Sequence, residues 1–549
     1  MATTSSLLRD HVTLSVRSVD RVFMYAYVPG LMTKYQVIRF LLHRGYPIPS
    51  PAALGKIGKG FVKDIERFVA DNGIPLVRFA KGQCKEDLAA PYLAEARTRG
   101  FHGVVLVGIA QEKESAWRGW RDGGSDGHPH FEFARQSVFP NFYYFYINDS
   151  QFGPCFIKVC SYAPFSMWVC CNGHEWAKAQ AEQEGLAYAA LDNGFASCED
   201  PGRLQRICGR FGAVSLRNLF ERWSHRLPSP FSGADRAAGF SHQLAFRQVE
   251  FSDTRVFDRP GSGRAWFEQT IREHLDLGRP DQVALIFDRR ITARTPGTFR
   301  TRVITRGVDP SIQIYLKSAK QKQYFKEAQA LRTELSINDT RDFGIGRLVT
   351  TENFQALKAV AEAANAALIE LEHAGETCAP DADTLKRIVL PSVEHGQAAP
   401  GLRFGDPRVM ALLASLVCFT HVVSGFTNAS LRPLVQAHLG RPYSSRQMGY
   451  DLRRLVRKGL IAREKSSHRY RLTADGRRTC MFLTKTYVRV VTPTLGHLDP
   501  QLAPDIAARS PVARAWRAST GPSTTSSPPQ GSRPEILTRS CTCLSPSVS

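Results

Sequence analysis

The sequence predicts an α/β protein: a multidomain body built on mixed sheets, then a helix-rich C-terminal domain and a disordered tail. Three observations carry that expectation. From about Ile74 the chain alternates strand (IPLVRF), helix (KEDLAAPYLAEARTRG) and strand (GVVLVGIAQ), the pattern of a sheet with helices packed on it. The 549 residues exceed what one ordinary core supports, and 43% hydrophobic with 22% charged residues is a globular composition. The stretch STGPSTTSSPPQGSRP is poor in large apolar groups and cannot offset its own ordering entropy.

Taken in order, residues 1–95 hold short extended pieces (HVTLSV, VFMYAYV) and a helix over Phe61–Asp71, introduced by the glycine-rich GKIGKG. That run lacks the G-x-x-x-x-G-K-[ST] spacing of a phosphate loop, so it reads as a flexible lead-in to the helix. Residues 96–235 form a central α/β domain. In it the aromatic run NFYYFYINDSQFGPCFIKVCSY is a hairpin turning at Asp149–Gly153. MWVCCN follows as a strand, HEWAKAQAEQEG as a helix and LAYAALDNGF as a fourth strand ending at Asp192; residues 203–227 read as helical. His174-Glu175 reads as a capping and packing pair at the helix start. Residues 236–375 make a basic mixed α/β region, with QVALIFDRRIT and GTFRTRVIT as strands joined by a Pro-Gly turn and an alanine-rich amphipathic helix over 352–373. The C-terminal domain takes 400–495 and the disordered tail 505–549.

Lys and Arg number 72 against 50 Asp and Glu, a formal charge of +22. Such a field attracts polyanions, and double-stranded DNA is the partner it favours, because each neutralised phosphate releases condensed counterions. No apolar run reaches the roughly 18–20 residues that span a bilayer. Val409–Val423 is interrupted by His421 and reads as a buried helix, and MATTSSLLRDHVTL lacks the apolar core of a secretory signal. These features predict a cytoplasmic protein without a membrane partner; a homo-oligomer stays open. The twelve cysteines, Cys155, Cys160, Cys170, Cys171, Cys198 and Cys208 clustered among them, show no C-x2-C pair, so they read as reduced structural thiols, and Cys541 and Cys543 as incidental.

The most informative pattern lies near residues 405–491. A buried helix (Pro407–His421) is followed by Asn428 as the cap of ASLRPLVQAHLG, which ends at Gly440. Ser444 or Ser445 then caps RQMGYDLRRLVRKG. Leu452, Leu455, Val456 and Leu460 share one face of it, while Arg446, Gln447, Tyr450, Arg453 and Arg457 fall largely on others. LIAREK and RYRLT make two short strands around Ser466–His468, and TADGRRTCMFLTKTYVRVV returns to helix. This order resembles the winged helix-turn-helix superfamily of DNA-binding domains. The resemblance implies that the second capped helix enters the major groove, with Arg446, Gln447, Tyr450, Arg453 and Arg457 toward the DNA, and that Lys465, His468 and Arg469 of the wing meet phosphates.

Two further constellations bear on chemistry. Asp149 at the hairpin, Asp192 in LDNGF and Glu221 in NLFERW follow a strand, hairpin, strand, helix order that resembles the RNase-H-like core of transposases and integrases. That likeness implies three carboxylates holding Mg²⁺ ions for metal-dependent phosphodiester cleavage or strand transfer by a mobile-element protein. The other is basic and aromatic: Tyr315, Lys317, Lys320, Lys322, Tyr324 and Lys326, then Arg332 and Glu334. It reads as a phosphate-binding surface. A nucleophilic tyrosine, as in rolling-circle replication initiators, would need a metal held by His128 and His130, and the intervening proline is wrong for a strand. A regulator or origin-binding protein without catalysis is the remaining alternative.

Overall fold

The computed structural model describes residues 4–122, 130–274, 282–283, 300–306, 309–316, 318–327, 329–373, 379–394, 396–418, 425–464 and 467–491. Lys317, His128, the Pro-Gly turn, Lys465, Ser466 and the tail over 505–549 lie outside them.

The extended pieces at the N-terminus are one strand, β1 (Val12–Tyr27), and it organises the body. β1 pairs with β11 (Gln243–Phe257) on one side and β8 (Met167–Asn172) on the other. With β2 (Leu76–Arg78), β3 (Gly103–Gln111), β6 (Asn141–Asp149), β7 (Gly153–Cys160), β12 (Gln282–Val283), β13 (Arg300–Arg306), β14 (Asp309–Leu316), β15 (Ala319–Lys326) and β16 (Ala330–Ile337) they form a 12-stranded sheet. Its order is β12-β13-β14-β15-β16-β11-β1-β8-β7-β6-β3-β2. Only its two end pairs are parallel. The segments 1–95, 96–235 and 236–375 therefore share one sheet. The sequence separated them because the backbone ladder, not local pattern, joins strands more than two hundred residues apart, as in Val19 opposite Phe251.

Local chemistry accounts for most elements. Ser50 caps α3 (Pro51–Asp71), which begins nearly three turns before Phe61 and runs through the glycine-rich stretch. Gly58 lets the helix approach the Ser161 carbonyl, where a Cβ would come to 2.9 Å. α4 (Lys85–Thr98) and the hairpin of β6 and β7 form as their patterns require. LAYAALDNGF is two strands, β9 (Tyr188–Leu191) and β10 (Gly194–Cys198), with Asp192-Asn193 as their turn. The turn propensity of Asp-Asn-Gly outweighs strand continuation. The region 203–227 breaks at Phe211-Gly212 into α6 (Pro201–Arg210) and α7 (Ala213–Arg226). Helix α10 (Thr351–His373) matches its sequence pattern.

The sheet has two unlike faces. On one, α3 meets β6 through Phe68 and Phe145, α9 (Pro260–His274) meets β15 through Phe267 and Phe325, and α10 meets β11 through Phe354 and Phe251. On the other, α4 covers the β3–β6 end around Phe79, Tyr144 and Tyr146, and the β9–β10 hairpin lies over part of β1 and β11. Between them Phe23, Tyr25, Tyr27, Phe156 and Trp168 are half-buried and Arg21 is exposed.

The C-terminal segment up to Lys485 belongs to the same compact unit; the second unit begins at Thr486, and its described part is Thr486 and the π-helical turn Tyr487–Val491. Helices over Pro407–Leu416, Asn428–Leu439 and Ser445–Arg457 are followed by two short antiparallel strands, Ile461–Arg463 and Tyr470–Leu472, and a helix over Ala474–Thr486. Phe426 forms a single antiparallel bridge to Tyr470 beside that two-stranded hairpin. Among the described residues no helix is long and apolar enough to cross a membrane.

Candidate nucleic-acid interface

The helix Ser445–Arg457 is built to present one basic face. Ser444, one of the two serines the sequence offered, caps it reciprocally with Gln447. The preceding helix is capped by Thr427 with Ser430, and Asn428 is its first residue instead. Freed from capping, Asn428 ties the two helix starts together: its Nδ2 donates to the Ser445 carbonyl at 3.0 Å and its Oδ1 accepts from Ser445 Oγ at 3.2 Å. Met448, Leu452 and Leu455 are buried beneath.

The only acidic residue of the helix, Asp451, is 1% exposed and faces inward, where Arg408 Nε donates to it at 2.8 Å and the Tyr443 hydroxyl also donates. The outward face therefore carries no carboxylate of its own. It shows Arg446, Gln447, Tyr450 and Arg453, all exposed, with Tyr450 at 45%. Arg457 turns away, donating to the Ala398 carbonyl at 3.1 Å and to Gln397, which positions the helix against the short hairpin Ser392–Ala399. At the end of the preceding helix, Arg432 and Arg441 line an open groove of about 470 Å³.

The hairpin residues divide. His468 is exposed. Arg469 is partly buried and its Nη2 lies 3.5 Å from the Asp342 carbonyl, so it joins this segment to the body.

The three carboxylates singled out in the sequence have separate occupations. Asp149 is 2% exposed; its Oδ1 accepts from the Gln151 and Phe152 amides at 2.8 and 3.0 Å, and its Oδ2 accepts from Trp223 Nε1 at 2.8 Å and pairs with Arg222 at 3.3 Å. It locks the hairpin turn to α7. Asp192 is exposed on the β9–β10 turn and pairs with Lys326 at 3.3 Å. Glu221 is exposed and lines a cavity of about 160 Å³ walled by Phe220, Phe231, Phe240 and His242. Among the described residues no group of three His, Cys, Asp or Glu is placed to hold a metal ion.

The basic stretch after Tyr315 is strand, and its alternate residues point to the partly open side of the sheet. Lys320 is buried with its ammonium 5.2 Å from the Tyr315 ring; Lys322 lies opposite Glu334, and Tyr324 donates to Glu334 at 3.1 Å. Burial raises the Tyr324 hydroxyl pKa, and Glu334 adds to it, which opposes a tyrosinate nucleophile.

A cluster the sequence reading did not assemble lies beside these residues. A bulge in β1 sets two residues, Asp20 and Arg21, against the single Glu250 of β11. Asp20 accepts from Arg332 Nη1 at 3.0 Å and from Asn193 Nδ2 at 2.7 Å; Arg332, fully buried, also donates to Thr254 Oγ1 at 3.1 Å and to the Asn193 carbonyl. Burial opposes ionisation of Asp20, but its cationic neighbours hold its carboxyl below the usual range. Glu334 goes the other way: burial first, then the nearby Asp20 and Glu250, push it up to about 7. His174 is buried, donates or accepts at 3.1 Å with Ser252 Oγ, and is held near 3 by burial and Arg332, hence neutral. Asn172, not His174-Glu175, caps that helix. The only sequence signal for the cluster was charge inside otherwise apolar strands, in VRSVDRVF and RTELSI.

No protein family, no curated protein and no solved structure matches this chain.

Proposed function

We propose that this chain binds double-stranded DNA through the helix Ser445–Arg457, in the manner of a winged helix-turn-helix, with Arg446, Gln447, Tyr450 and Arg453 toward the major groove and His468 beside the backbone. The observation that carries the reading is the outward face of that helix: two exposed arginines and an exposed tyrosine with the helix's one acid buried and neutralised below. Arginine at such a position reads guanine bidentately, and the two-stranded hairpin with the Phe426–Tyr470 bridge beside it supports reading this segment as a wing. The proposal covers binding. Phosphodiester chemistry through Mg²⁺ is left out of it, because Asp149 is committed to Trp223 and Arg222, and Asp192 to Lys326.

The test uses the full chain and random-sequence duplexes followed by selection of bound sites. Arg446→Ala and Arg453→Ala are each expected to weaken selected sites by about 1–3 kcal/mol and relax preference at one base position. Affinity should fall steeply with salt, by a slope of about −0.9 per neutralised phosphate. A folded chain that binds no duplex, or binds it equally after both substitutions, refutes the reading.

A further inference from the structure

The solvent-reaching part of the large sheet has a composition that its position does not require. Along β1, Val22, Met24 and Ala26 are buried while Arg21, Phe23, Tyr25 and Tyr27 reach the other side; along β8, Trp168, Cys170 and Asn172 do the same. On β7, Phe156 and Lys158 alternate with buried Cys155, Ile157 and Val159. Solvent-facing positions of an antiparallel sheet are ordinarily filled by small polar and charged residues. Here aromatic rings take their place.

Register aligns these rings into rows. Tyr144, Lys158, Trp168 and Tyr25 stand side by side across β6, β7, β8 and β1, and Tyr146, Phe156, Cys170 and Phe23 form the next row. Tyr25 and Tyr27 stack with centroids 6.1 Å apart, Tyr25 meets Trp168 edge-on at 4.8 Å, and Phe23 meets Phe156 at 6.2 Å. Cations border them. Lys158 and Arg247 lie 5.2 and 5.9 Å from the Trp168 ring, and Arg21 is exposed at the end of the Phe23 row. A register shift in β11 between the partners of Phe23 and Met24 is what brings Arg247 beside Gln248 on this face. Of the carboxylates nearby, Glu112 is bound by Lys85 and Lys158, and burial, reinforced by Asp20, raises the pKa of Glu250; Glu114 and Glu86 lie toward Tyr25 and Cys170 at the α4 side of the face.

We propose that this aromatic and cationic sheet face binds an extended single strand of DNA, two or three of whose bases stack on Phe23, Tyr25, Tyr27 and Phe156 while Arg21 and Arg247 meet the phosphates. Partner chemistry follows from the surface. A protein partner would match the rings but not the cations, an anionic membrane would match the cations but not half-buried rings set between α4 and a hairpin, and a single strand offers both π faces and phosphates. Bases in a duplex are stacked inside and cannot use such rings. The choice of DNA over RNA rests on the function proposed above; the platform itself does not.

Fluorescence anisotropy of labelled oligo(dT) with the full chain tests this, alongside oligo(U) and a duplex. Wild type is expected to bind oligo(dT) with affinity that falls as salt rises. Tyr25→Leu and Phe23→Leu should each weaken it about 5- to 150-fold, the range that stacking on one ring supplies. Tyr25→Phe keeps the ring and should bind as wild type, and circular dichroism of the Leu variants should be unchanged. Arg247→Gln should flatten the salt dependence by about 0.7 in slope. Duplex affinity should be untouched by all four, whereas Arg446→Ala should lower duplex binding alone. Absence of oligo(dT) binding by folded wild type, loss with Tyr25→Phe equal to that with Tyr25→Leu, or preference for oligo(U) overturns the proposal. Binding of oligo(dT) without duplex binding would overturn the function proposed above and leave this one standing.

Discussion

Glu372 offers a sharp test of the electrostatics of the body. It is fully buried on α10 against the sheet, where Gln323 Nε2 donates to its Oε2 at 3.0 Å, and burial pushes its carboxyl from 4.5 up to about 8. The native state therefore keeps the proton at neutral pH while the unfolded chain loses it. A raised folded pKa means that stability is fully present below the unfolded value of 4.5 and drains away as pH climbs toward about 8. At about 1.36 kcal/mol per unit, the cost is about 1 kcal/mol near pH 5 and about 3 kcal/mol near pH 7. Glu372→Gln keeps shape and an acceptor for Gln323 but has nothing to ionise. Its stability relative to wild type should thus grow by about 2 kcal/mol between those two pH values. Urea unfolding of both proteins at about pH 5, 6 and 7 reads this directly, and the difference between the two curves removes contributions from Glu334 and His174, which are common to both. A flat difference, or a variant less stable than wild type near pH 7, would show that Glu372 is not held protonated.

Further expectations follow from named contacts. Arg332→Met should destabilise by about 3–5 kcal/mol, because it leaves the buried Asp20 without its guanidinium; adding Asp20→Asn should recover part of that loss, as thermal unfolding of the double variant would show. Asp149→Ala should lower stability by about 2–4 kcal/mol through loss of two turn amides, Trp223 and Arg222, and leave duplex binding intact in any chain that still folds; unchanged stability would refute its structural role. Gly476→Ala should disorder the C-terminal helices, since its Cβ would stand 1.9 Å from the Leu460 carbonyl; a wild-type melting curve would contradict the packing. Arg469→Ala should reduce stability more than DNA affinity, given its contact with Asp342, whereas Arg453→Ala should do the reverse.

Local chemistry made several elements legible in the residues alone. The hairpin of NFYYFYINDSQFGPCFIKVCSY follows from β-rich halves around an Asp-Ser-Gln-Phe-Gly turn, α10 from its amphipathic alanine-rich repeat, and a cap at the Ser444-Ser445 pair from serine chemistry, with the structure choosing Ser444. These depend on neighbours within a few residues, which is the range over which propensity and capping act. The basic helix Ser445–Arg457 was visible for the same reason: one amphipathic period separates its apolar side from its arginines.

Tertiary structure decided what depends on distant partners. Arg457 and Arg469 look like DNA-facing cations in sequence, but the Ala398 and Asp342 carbonyls claim them. Asp149, Asp192 and Glu221 have the order of a catalytic set, but Trp223 and Arg222 hold the first, Lys326 pairs with the second, and the third lines a separate cavity. Asp20, Glu250 and Glu334 lie more than eighty residues apart from one another, and only the adjacency of β1, β11 and β16 brings them together. The aromatic face has the same origin. Period-two alternation says that Phe23, Tyr25 and Tyr27 share a side of a strand, but whether that side is core or solvent is fixed by which helices cover the sheet, and hydrogen-bonded register across four strands sets the rings in rows.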